Sequence, residues 1–167
     1  MSTMAPMSAE DEGVRWLDAE EQAMWRHLLT AESRIEEELD RDLQTRNGIG
    51  LVEFGILVAL SEAPGMRMRM RMLADSVIVS KSRLSHQITR LERVGYVRRE
   101  PCEEDRRGFW AILTDDGLAA LREAAKGHVA RVRERVFDRL TREQVRQLAG
   151  IMRILEDGGA PAGRTED

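Results

Sequence analysis

The stretch Leu73-Ala74-Asp75-Ser76-Val77-Ile78-Val79-Ser80-Lys81-Ser82-Arg83-Leu84-Ser85-His86-Gln87-Ile88 reads as a short helix, a tight turn and a longer helix. Leu73, Val77, Val79, Leu84, Ile88 and, further on, Leu91 fall where two crossing helices can share one small core. Ala74 lets the helices approach closely. Ser80 is placed to cap the second helix, whose hydroxyl-bearing N-terminus also suits a phosphate. The exposed first turns then carry Ser80, Lys81, Ser82, Arg83, Ser85, His86 and Gln87, with Arg90 one turn on and no acid among the residues from 80 to 90. A helix of this kind fits the major groove of duplex DNA: Arg pairs bidentately with guanine and Gln with adenine. A plain helical hairpin with a solvated polar face is the competing reading, and the lack of acids weighs against it.

Upstream of this unit, Met66 to Met72 alternates Met and Arg strictly. Alternation puts the two residue types on opposite faces of an extended strand. A short strand near Met66 to Met68 is expected, then a helix from about Met70 to Ser76. Downstream, Ser80 to Val94 is the second helix, with Gly95 past its end. Tyr96 to Pro101 and Gly108 to Leu113 are strand-like runs joined by the turn Cys102 to Arg107, which makes a hairpin. Arg98, Arg99, Arg106 and Arg107 cluster on it. Arginine on such a loop is attracted to the negative potential of a minor groove, and Asp105 can fix an arginine by a charge-assisted bond.

Charge separates along the chain. The net charge of −4 is unpromising for a polyanion binder, but residues 64–114 carry +5 and the remainder −9. That asymmetry directs a polyanion to one face. Outside this segment the sequence is helical by period. Asp18 and Glu21 form a capping-box pattern ahead of a long helix ending at Asn47-Gly48, and Leu51 to Ala63 is a short apolar helix stopped by Pro64-Gly65. Thr114 caps a helix from Asp115 to about Asp138, and Thr141 with Gln144 caps the last one, through Glu156.

Leu73-Ala74, Val79-Ser80-Lys81-Ser82, Leu91-Glu92, Gly95, Val97, Arg99, Asp105-Arg106-Arg107 and Leu113-Thr114-Asp115-Asp116-Gly117 together resemble the multiple-antibiotic-resistance regulator (MarR) family. The Asp-x-Arg wing motif and the Leu-Thr-x-x-Gly after it are the specific parts. The resemblance implies a mainly α winged helix-turn-helix fold, with about six helices and a small three-stranded antiparallel sheet. It implies a homodimer on a roughly palindromic DNA operator, usually acting as a repressor, paired through the two chain-terminal helical regions; the cytoplasmic reading comes separately, from the lone Cys102 and from finding no secretory or membrane-spanning run. It also implies that Arg107 reaches the minor groove with Asp105 in support, and that a small aromatic effector releases the DNA. Two positions depart from the family's usual look. Arg71-Met72 stands where a polar cap is common, and Ile78 occupies a turn where Gly is common.

The expected organisation is a flexible leader over 1–14, N-terminal helices for dimerisation and ligand binding over 15–63, the DNA-binding region over 64–114, C-terminal dimerisation helices over 115–156 and a flexible tail over 157–167. Trp16, Trp25, His27 and Phe54 are candidates to line an aromatic ligand pocket, against their ordinary reading as core or dimer contacts. Cys102 is read as an inert wing cysteine. No apolar run reaches the roughly 20 residues of a membrane span, and Met1 to Gly13 has no secretory apolar core. No cofactor, metal or catalytic residue is expected: His27, His86 and His128 lie far apart, and no phosphate-binding glycine loop or nucleophile elbow occurs. The alternative to a DNA-binding regulator is a helical dimeric protein-interaction module without specific DNA binding.

Overall fold

The computed structural model describes residues 14–102 and 105–156, the side chains of 105–107 excepted. The expected tail (157–167) and all of the expected leader except Val14 lie outside the described residues. Elements follow in the order α1 (Ala19–Asn47), α2 (Leu51–Glu62), β1 (Arg67–Arg69), α3 (Met70–Ser76), α4 (Lys81–Arg93), β2 (Val97–Cys102), β3 (Asp105–Leu113), α5 (Asp115–Arg135) and α6 (Arg142–Glu156). The three strands form one antiparallel sheet in the order β1-β3-β2. This is the winged helix architecture expected from the sequence. Among the described residues no helix is long and apolar enough to cross a membrane.

The described residues fall into two compact units, divided between Ile35 and Glu36. In the first, the Asp18 carboxylate accepts the Glu21 amide at 2.8 Å and the Glu21 carboxylate accepts the Asp18 amide at 2.9 Å, so both orphan amides at the start of α1 are satisfied. Trp16, Leu17, Met24, Trp25 and Leu29 are exposed there.

In the second unit, α2 is the hub. Ile56, Leu57 and Leu60 are fully buried, and the core around them draws Leu43 from α1, Leu73 and Ala74 from α3, Leu84, Ile88 and Leu91 from α4, Ala111 and Leu113 from β3 and Leu121 and Ala124 from α5. Leu84, Ile88 and Leu91 recur at helical spacing, so the face of α4 opposite its polar residues is the buried one. The Met–Arg run splits as alternation requires. Met66, Met68 and Met70 pack on the core, while Arg67 and Arg69 sit over the Trp110 ring at 4.8 and 5.1 Å from its centroid. The alternation ends at Met70, where the chain turns helical and Met72 becomes exposed.

Three boundaries differ from expectation. The first strand is Arg67–Arg69, because its pairing with Trp110–Ile112 sets its length. The hairpin arms reach further toward the turn than read: the first is shifted by one residue, so that Cys102 belongs to β2, and the second is longer, with Asp105, Arg106 and Arg107 in β3, past a register shift at Pro101/Cys102. α5 stops at Arg135, and a single 3₁₀ turn over Phe137–Arg139 follows.

Candidate nucleic-acid interface

The turn between α3 and α4 is built without glycine. The Val77 amide donates to the Leu73 carbonyl at 3.1 Å and the Val79 amide to the Ala74 carbonyl at 3.2 Å. Ile78 between them is held at φ 52°, in the left-handed region that a β-branched residue rarely enters, and it is 91% exposed. Ser80 then caps α4 as expected, accepting the Arg83 amide at 3.2 Å, and its hydroxyl meets that of Ser82 at 3.1 Å.

Ser80, Lys81, Ser82, Arg83, Ser85 and His86 are all exposed on the first two turns of α4. Gln87 is half-buried, and its side-chain oxygen is shielded with no partner. Arg90 is engaged differently. Its Nε lies 3.1 Å from a carboxylate oxygen of Glu53, a residue only 3% exposed, whose other oxygen accepts the Gly50 amide at 2.8 Å. Glu53 thus closes the start of α2 and holds α4 against it at once. Sequence reading missed this residue, although a single acid inside Leu51-Val52-Glu53-Phe54-Gly55-Ile56-Leu57 was the available signal.

The wing is tied to the same helix. The Arg99 amide donates to Glu92 Oε1 at 3.0 Å, and its guanidinium reaches Glu92 Oε2 at 2.5 Å and the Thr89 hydroxyl at 3.2 Å. Arg98 pairs with Glu100 on its own strand. Arg99, one of the four arginines clustered on the hairpin, is therefore a strut between wing and helix. Asp105, Arg106 and Arg107 lie in β3 by their backbone, and their side chains fall outside the described residues. Cys102 is a buried free thiol.

At the far end of the wing, Thr114 anchors α5. Its hydroxyl donates to the Gly95 and Tyr96 carbonyls, at 2.7 and 3.1 Å, and accepts the Gly117 amide at 3.0 Å. A Cβ at Gly117 would lie 2.1 Å from the Tyr96 carbonyl oxygen. The Leu-Thr-x-x-Gly motif is thus a cap plus a backbone crossing that only glycine permits.

Beside α2 a cleft of about 770 Å³ is lined by Phe54, Val58, Met68, Val77 and His128, with Glu36 and Glu62 also along it. The Phe54 and His128 rings are 4.4 Å apart. Burial pushes the His128 imidazole below its ordinary pKa, partly opposed by the Asp42 carboxylate. Of the four residues expected around a ligand, Phe54 lines this cleft; Trp16, Trp25 and His27 belong to the first unit and are exposed.

A helix-turn-helix with a capped polar helix, followed by a hairpin braced to it, defines a winged helix-turn-helix protein. A model of the MarR family matches residues 47–108. The HTH-type transcriptional regulator PecS of Dickeya dadantii (strain 3937) is 30% identical over 129 residues, covering 74% of this chain and 76% of that protein. Sco3205, a MarR family transcriptional regulator from Streptomyces coelicolor solved in complex with DNA, is 49% identical over 92% of this chain and 97% of its own, with a TM-score of 0.83. AbsC, another from the same organism, is 44% identical over 87% and 97%, with a TM-score of 0.80. The chain belongs to the MarR family of transcriptional regulators, which are not enzymes.

Proposed function

We propose that this regulator binds double-stranded DNA as a homodimer, reading a palindromic operator and repressing the genes beside it. The observation that carries the reading is the exposed, acid-free face from Ser80 to His86 on a helix braced to a basic wing. In this reading Ser80, Lys81, Ser82, Arg83, Ser85, His86 and Gln87 face the major groove, and Arg106 and Arg107, supported by Asp105, face the minor groove. Arg90 serves as a brace through Glu53.

Dimerisation is supported by unpartnered apolar faces near both ends of the chain. α6 buries none of its residues and leaves Leu148, Ile151, Ile154 and Leu155 exposed. Trp25 and Leu29 do the same on α1. A two-fold dimer places two recognition helices on half-sites about one helical turn apart. The cleft at Phe54 and His128 is the seat we assign to a small aromatic effector, since it offers an apolar floor against α2, β1 and the end of α3. Occupancy there would bias the α2–α3 packing on which α4 stands.

The test is fluorescence anisotropy of the purified protein on the DNA upstream of its own gene, at two salt concentrations with a scrambled competitor. Tight, competitor-resistant and salt-sensitive binding is expected. Arg83→Ala should relax base preference by about 1–3 kcal/mol at one position of each half-site. Weak, sequence-indifferent binding would instead favour a protein-interaction module.

A further inference from the structure

The arginines of the Met–Arg run do more than decorate the sheet. Arg69 from β1, Arg71 from α3 and Lys81 from α4 converge on one cleft of about 430 Å³, whose remaining described walls are Met70, Leu84, Gly108 and Phe109. No acidic side chain is among the described residues that line it. Arg71 and Lys81, exposed cations on two separate elements, repel one another across it. An anion between them turns the cost into a gain. The first amides of α4, which have no partner inside the helix, add positive potential at the Lys81 end.

The position of the cleft identifies the anion. One wall is the first turn of the recognition helix and the other is β3 of the wing. In duplex DNA a major groove and the adjacent minor groove are separated by a single sugar-phosphate backbone. A protein with α4 in the first groove and the wing in the second must let that backbone cross between them. We propose that this cleft seats a backbone phosphate, with Arg71 and Lys81 as its ligands. Arg71 stands where the resemblance leads one to expect a polar helix cap, so the contact belongs to this chain's own sequence. The inference rests on the DNA-binding reading above and adds to it a contact that fixes register without reading bases.

The experiment measures affinity against salt on operator and scrambled duplexes for the full-length protein, the double variant Arg71→Gln/Lys81→Gln, the conservative Arg71→Lys and a control, Arg122→Gln. Arg71, Lys81 and Arg122 are all exposed, so thermal melts should match wild type and establish folding. The double variant is expected to lose about 0.9 from the slope of log K against log salt, the worth of one neutralised phosphate. It should weaken both duplexes by the same factor, leaving base preference intact. Arg71→Lys and Arg122→Gln should keep the wild-type slope. A wild-type slope in the double variant, with operator binding by wild type intact, overturns the phosphate seat and leaves the DNA reading standing. A change confined to operator DNA also overturns it, since it would make these residues base readers. Wild type that binds neither duplex at low salt overturns both.

Discussion

Gly117→Ala is the substitution that most directly tests how the wing is joined to the helices behind it. The new methyl carbon would sit 2.1 Å from the Tyr96 carbonyl oxygen and 2.9 Å from Leu113 Cδ1. The leucine tip can rotate away, but the carbonyl cannot: it is fixed by the Thr114 amide at 3.1 Å and by the Thr114 hydroxyl. Relief requires α5 to back off from Tyr96 by about 1 Å, and overpacking of that kind costs about 3 kcal/mol. The shift also pulls the Gly117 amide from Thr114 Oγ1, costing about 1 kcal/mol more for the lost cap. Alanine returns about 1 kcal/mol through chain entropy and helix propensity. The net expectation is a loss of about 3 kcal/mol, read as a fall of about 6–12 °C in Tm at fixed protein concentration. Gly55→Ala, where a Cβ meets nothing within 4 Å, is the matched control and should be neutral or slightly stabilising. A Gly117→Ala protein within about 0.5 kcal/mol of wild type would refute the claim that this backbone crossing positions α5.

Three further outcomes follow from the same geometry. Arg90→Met should cost about 2–4 kcal/mol by stranding the buried Glu53 carboxylate, and Glu53→Gln less, about 1 kcal/mol, because the amide oxygen still accepts Gly50; urea unfolding checks both, and an unchanged stability with selective loss of operator binding would return Arg90 to the DNA. Because His128 titrates below its ordinary 6.5 in the folded chain, the unfolded chain takes the proton first, so His128 contributes full stability above about pH 6.5 and loses it as pH falls toward the folded value. His128→Gln should flatten that limb in urea melts across the range; an identical limb would assign the acid sensitivity elsewhere. Ile78→Asn should stabilise the protein by about 1 kcal/mol, since the exposed side chain packs little and asparagine tolerates positive φ; a destabilised variant would show that the isoleucine has a partner.

The fold was legible in the sequence because its devices are local. The capping pairs Asp18/Glu21 and Thr141/Gln144 form as spaced, and Thr114 caps α5. The Leu84, Ile88, Leu91 stripe fixes which side of α4 is buried, and therefore which side is offered outward. What local spacing could not reveal were interactions between residues far apart in sequence. Arg90 looks like one more cation on a polar helix until Glu53, 37 positions earlier, is placed against it. Arg99 looks like a wing cation until Glu92 takes both its amide and its guanidinium. The convergence of Arg71 with Lys81 depends on how β1 and β3 lie beside α4, which periodicity along one element does not encode. The ends of the hairpin arms were misjudged for a related reason: strand pairing persists past Pro101 through a register shift that residue propensities do not announce.

The Arg99–Glu92 strut has a consequence for how a DNA sequence would be chosen. Its three hydrogen bonds, with the Thr89 hydroxyl as the third acceptor, span the wing and the helix beside it. Two probes held in a fixed separation act like the jaws of a caliper. When such a tool closes on a duplex whose groove spacing differs, the duplex is the softer partner and pays for the mismatch by bending or by narrowing its minor groove. Sites would then be ranked partly by the stiffness of base steps the protein never touches, and loosening the strut, as in Glu92→Gln, would blunt that ranking before it abolished binding.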